Sequence, residues 1–125
     1  MEEPPKLKPL YWVGSSKRDL LALPEDVVDV FGYALYLAQI GRKHEQAKAL
    51  KGFGSAGVLE IVEYWERNSY RAVYTVRFDR TVFVLHVFQK KAKRVRRLTD
   101  TPKGDLDLIR QRLKAAEEAA RELES

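Results

Sequence analysis

Six of the eight residues from 90 to 97 are cationic: Lys90, Lys91, Lys93, Arg94, Arg96 and Arg97. They follow directly on Val82-Phe83-Val84-Leu85-His86-Val87-Phe88-Gln89. That run is too continuously apolar and β-branched for an exposed strand, so it predicts a strand covered on both faces. A buried strand that ends in cations carries positive charge from a rigid base to one rim of a domain. Such a distribution suits a polyanion better than a neutral metabolite. Nucleic acid is the expected partner class, held by contacts that are salt-sensitive and do not read sequence. The plainer explanation is a solvated loop kept soluble by charge. The run's position between a core strand and a helix start favours the functional use.

Two other side chains belong with this run. Arg71 opens the segment Tyr70-Arg71-Ala72-Val73-Tyr74, where alternation sets it on the face opposite Tyr70, Ala72 and Tyr74. It can offer a fork of donors to a phosphate, or pair with an acid such as Glu63 across a hairpin. His86, inside the apolar strand, is expected to share a face with Val84, Phe88 and Lys90. It is either a hydrogen-bonded core residue or a carrier of protons. His44 has no partner at metal-ligand spacing, so no zinc site is called for. The acid pairs Glu25/Asp26, Asp105/Asp107 and Glu117/Glu118 fall at helix starts or on exposed helical faces and form no catalytic dyad. Gly52-x-Gly54 lacks the strand-before, helix-after setting of a nucleotide fingerprint.

The elements that must position these residues fit one domain over 1–125, since 125 residues support a single core. A net charge of +5 and a pI near 9.5 favour anionic partners without proving one. The absence of cysteine excludes disulfides, thiolate metal sites and cysteine nucleophiles. The chain begins Met-Glu-Glu-Pro-Pro and has no apolar run near the roughly 20 residues a bilayer requires, so a cytoplasmic location is expected.

Residues 1–6 are expected to be disordered, with a short strand over Leu7 to Val13. Ser16 with Asp19 has capping-box spacing and predicts a helix over Lys17 to Ala22. A second helix, Pro24 to Ile40, repeats apolar residues at Val27, Phe31, Ala34, Leu35 and Ala38, and Gly41 ends it. Residues 42–57 are polar and Gly-rich, a loop with at most one helical turn. Strand-like runs follow at Val58 to Trp65, Tyr70 to Phe78 and Thr81 to Gln89, joined closely enough for an antiparallel meander. Thr101 as N-cap and Pro102 at the first helical position start a helix reaching Leu123, whose alanine-rich end can extend or fray. The expected class is α+β: a small, mainly antiparallel sheet packed by an N-terminal helix pair and a C-terminal helix.

Six motifs in series carry a resemblance. Trp12-x-Gly14-Ser15-Ser16, Leu50-Lys51-Gly52-x-Gly54, Gly57-Val58-Leu59-Glu60-Ile61, Tyr70-Arg71-x-x-Tyr74, Val84-Leu85-His86-x-Phe88-Gln89-Lys90-Lys91 and Thr101-Pro102-Lys103 resemble the phage Gp49-like, HigB-type branch of the RelE/ParE toxin superfamily. The resemblance implies a RelE-like fold and the toxin of a type II toxin-antitoxin pair. The HigB and RelE kind cut messenger RNA on the ribosome with the substrate's 2′-hydroxyl as nucleophile, needing no metal or other cofactor. The ParE kind shares the fold and acts on DNA gyrase, and a phage-derived RNA binder without catalysis is a further alternative. Carried over by motif, Arg71, Lys90 and Lys91 form the catalytic surface with His86. Lys48, Lys51, Lys93, Arg94, Arg96 and Arg97 are the expected RNA-binding cations. Many relatives have an arginine where this chain has Val62, a loss that would weaken phosphate binding. The segment between Lys91 and Thr101 is longer and more basic than theirs, so it would partly replace that contact or serve contact with ribosomal RNA. The implied partners are messenger RNA, the ribosome and a small antitoxin of helix-turn-helix type.

Overall fold

The computed structural model describes residues 6–54, 56–90 and 101–124. Five strands form one mixed sheet in the order β1-β5-β4-β3-β2: β1 (Leu10–Trp12), β2 (Lys48–Ala49), β3 (Val58–Trp65), β4 (Asn68–Thr75) and β5 (Val82–Lys90). Helices α1 (Ser16–Leu21) and α2 (Glu25–Gln39) cover one face, and α3 (Lys103–Leu123) covers the other. The α+β class and the antiparallel meander of β3, β4 and β5 stand as expected. The first strand runs parallel to β5, and β2 is an edge strand inside the stretch expected to be loop. Two residues carry too little periodicity to announce a strand.

The expected core stripe of α2, Val27, Phe31, Ala34, Leu35 and Ala38, is the set buried against the sheet. Burying each large member contributes roughly 1.5–3 kcal/mol, and Phe31→Ala would cost about 3–5 kcal/mol. Gly41 at φ +80° completes a Schellman turn, with Arg42 N donating to Leu37 O at 2.7 Å and Gly41 N to Ala38 O at 3.1 Å.

Helix α1 starts one residue earlier than its capping-box spacing predicts. Ser15 occupies the N-cap, while the Ser16 hydroxyl is buried and donates to Val84 O at 3.2 Å. The β3–β4 hairpin turns on Glu66 and Arg67, both with positive φ. That backbone gives a two-residue turn whose twist matches the strands. Strand β4 ends at Thr75 rather than Phe78, so the link to β5 is longer than two residues.

The most consequential departure is a bulge in β5. Val73 pairs with His86 and Tyr74 with Val84, which leaves Leu85 as an extra residue. Val82, Val84 and Val87 face α2, whereas Phe83 and Leu85 face α3, together with His86. His86 therefore does not share a face with Val84, because strict alternation fails at the bulge. The alanine-rich end of α3 is seated on the sheet: Ala116 and Ala120 are buried, and small side chains allow the close approach. No helix among the described residues is long and apolar enough to cross a membrane.

Candidate functional site

The α3 face of the central strands carries the polar cluster. Arg71 on β4 lies opposite Val62 on β3 and Phe88 on β5, while Lys90 lies opposite Ser69 and His86 opposite Val73. The register thus brings Arg71, His86 and Lys90 to one side of the sheet.

Arg71 is 0% exposed. Its Nη1 donates to Glu60 Oε2 at 3.3 Å and to Thr101 Oγ1 at 3.2 Å, and Thr101 Oγ1 donates to Glu60 Oε2 at 3.0 Å. The acid partner is Glu60 rather than Glu63. Glu63 pairs with Tyr70 and so belongs to the α2 face, whereas Glu60 is diagonal to Arg71 on the same face. The guanidinium is shut off from water while the Glu60 carboxylate is 13% exposed, so the pair does not present the Arg71 charge to solvent. Thr101 thereby ties the start of α3 to the sheet. Its hydroxyl does not cap the helix, whose N-cap is Pro102.

His86 has both ring nitrogens engaged. Nε2 is 2.8 Å from Asp105 Oδ1, and Nδ1 is 3.3 Å from Arg112 Nη1. A guanidinium has only donors, so Nδ1 must accept, which assigns the proton to Nε2 facing Asp105. The ring stacks on Phe88 at 4.5 Å with 16° between planes. Arg112 also donates to Leu85 O at 2.9 Å and to Ser15 Oγ at 3.2 Å, and Ser15 donates to Asp19 at 2.7 Å. Gly14 has φ +58° beside this guanidinium, and a Cβ there would stand 2.9 Å from Arg112 Nη2. Glycine is the residue that lets the arginine pass.

Lys90 is 6% exposed, and its carbonyl accepts from Ser69 Oγ at 3.3 Å. Lys48 and Lys51 are exposed, Lys48 lying opposite Glu60 at the β2 edge. The expected site residues Lys91, Lys93, Arg94, Arg96 and Arg97 lie outside the described residues. Chemically, the cluster is an array of fixed donors and charges: two carboxylates, from Glu60 and Asp105, hold two cationic or protonated groups in defined orientations. It can stabilise and position, and any proton exchange through His86 requires Arg112 or Asp105 to yield a nitrogen.

The sequence reading gives Glu60 and Arg112 no role at the site, assigns Thr101 to the helix cap and explains Asp105 by capping or solubility. The structure makes Glu60 and Thr101 partners of Arg71, and Asp105 and Arg112 partners of His86. Glu60 was findable in part, since alternation along β3 sets it with Val58 and Val62. Arg112 gave no signal, because its partners come from β5 and from the turn before α1.

A family model described as phage derived protein Gp49-like matches residues 18–114 of this chain. No curated protein matches it. Among solved structures, the toxin-antitoxin complex RelBE2 from Mycobacterium tuberculosis is similar at 20% identity, covering 67% of this chain and 99% of that chain, with a TM-score of 0.45.

Proposed function

Since the chain belongs to the Gp49-like phage-derived protein family, we propose that it is the toxin of a type II toxin-antitoxin pair. In this reading it cuts messenger RNA on the ribosome, with the substrate's 2′-hydroxyl as nucleophile and without a metal. A small antitoxin of helix-turn-helix type, encoded beside it, would hold it inactive. The observation that carries the reading is the single sheet face shared by Arg71, His86 and Lys90, at the point where β5 runs into the cationic segment 90–97.

The chemistry asked of that face is electrostatic. Lys90 and Lys91 would neutralise charge on the pentacovalent phosphorus as the 2′-oxygen attacks and the 5′-oxygen leaves. His86, oriented by Asp105, would move a proton once Arg112 withdraws from Nδ1. Arg71 would set the local field and hold Thr101, since its guanidinium faces Glu60. Lys93, Arg94, Arg96 and Arg97 would supply salt-sensitive attraction to messenger or ribosomal RNA.

One observation favours a second reading. Arg71 is closed to solvent and His86 has both nitrogens occupied, as in a protein that acts by binding alone, whether on DNA gyrase or on RNA. Induced expression decides between them. The nuclease reading predicts growth arrest with new 5′ ends inside translated messages. Arrest with intact messages and DNA damage would replace it with the gyrase-directed reading.

A further inference from the structure

Arg110 lies two residues from Arg112, about 200° round α3, and so on the opposite flank from the His86 contact. Its guanidinium sits over the Phe53 ring, with Cζ 5.2 Å from the centroid. It also rests against Gly52, where a Cβ would come within 3.3 Å of Nη2. Gly52 has φ +93°, a conformation glycine adopts freely, so the loop leaves room for the guanidinium. The guanidinium thus lies over an aromatic ring and beside the Gly52 backbone, yet the side chain is 48% exposed. Asp107 stands 3.4 Å away on the same exposed surface, a pair of little energetic weight. Lys51, next to Gly52, is exposed, and so is Lys48, opposite Glu60 at the edge that leads to the Arg71 cluster.

We propose that Arg110 and Phe53 form a stacking subsite for one nucleobase of single-stranded RNA, with Lys51 and Lys48 holding the phosphates that lead from it toward Arg71. The inference rests on the RNA-directed reading above and adds to it a surface outside the reacting centre. A guanidinium plane fixed on one side accepts a base face-on from the other, and stacking is tolerant of sequence because every base has a π face. Lysines act as mobile point charges for phosphates. An acidic peptide would use the lysines and the donor edge of the guanidinium but not its face, so RNA is the partner that fits the whole arrangement.

The test is fluorescence anisotropy of the full chain with a short 2′-O-methyl oligoadenylate and with an abasic oligomer of equal length. The wild type should prefer the oligoadenylate. Arg110→Lys keeps the charge and loses the plane, so it should bind oligoadenylate about tenfold more weakly while binding the abasic strand as the wild type does. Lys51→Ala should weaken both strands and lower the salt slope by about one. Wild-type affinity for both strands in Arg110→Lys, or no wild-type preference for bases, would overturn the subsite. The two ideas fail separately. Intact messages in cells would sink the nuclease while leaving base stacking measurable, and cleaved messages with an indifferent Arg110→Lys would sink only the subsite.

Discussion

Glu60 and Arg71 sit diagonally across the β3–β4 ladder, 3.3 Å apart, with the arginine shut off from solvent and Thr101 bonded to both. The β3–β4 hairpin and the start of α3, which are far apart in sequence, therefore meet around one ion pair. Removing a partner from a buried pair leaves the other charge desolvated. Glu60→Ala should cost about 3–5 kcal/mol in urea unfolding, and Glu60→Gln, which keeps an acceptor, should cost less. A Glu60→Ala protein as stable as the wild type would contradict a buried ion pair.

Burial raises the Tyr74 phenol from 10.0 to about 12. The unfolded chain gives up this proton near its ordinary value and the folded chain holds it longer. The stabilisation is therefore complete below about pH 10 and lost as pH rises toward 12. The Tyr74 hydroxyl is buried and has no hydrogen-bond partner among the described residues. Tyr74→Phe should accordingly cost nothing at neutral pH and flatten the alkaline decline in stability, as read by urea titrations from neutral to strongly alkaline pH. A marked loss at neutral pH would mean that the hydroxyl has a partner.

Asp105 accepts from His86 in the first turn of α3, so the carboxylate helps hold the helix start to β5. A hydrogen bond to a charged group is worth about 1.5–3 kcal/mol. Asp105→Ala should therefore speed amide exchange over residues 106–109 by about tenfold or more, with the distal end of α3 unchanged. Exchange in the variant unchanged from the wild type would show that the sheet packing of Ile109 and Ala116 alone fixes the helix start.

Much of this architecture was legible because local and global signals agree. The α2 stripe is fully periodic, and its buried residues are the ones periodicity selects. What was hidden depends on contacts between distant segments. The bulge at Leu85 moves His86 off the face of Val84, and nothing in an unbroken apolar run marks where a strand gains a residue. Thr101-Pro102 has the pattern of a helix start, and the helix does start there, but the hydroxyl is drawn to Arg71 and Glu60 instead of the helix amides. The Arg71 partner was missed by three residues because register, not spacing, decides which acid shares its face.

The central claim is that charge fixed at the end of β5 cuts RNA. The most direct measurement is the single-turnover rate of message cleavage on reconstituted ribosomes by a Lys90→Ala, Lys91→Ala double variant verified to be folded. Removing donors aimed at developing charge should lower the rate by about 10² to 10³ with no recovery at low salt, whereas Arg94→Ala should recover as salt falls. A folded double variant that cleaves at the wild-type rate would contradict the account.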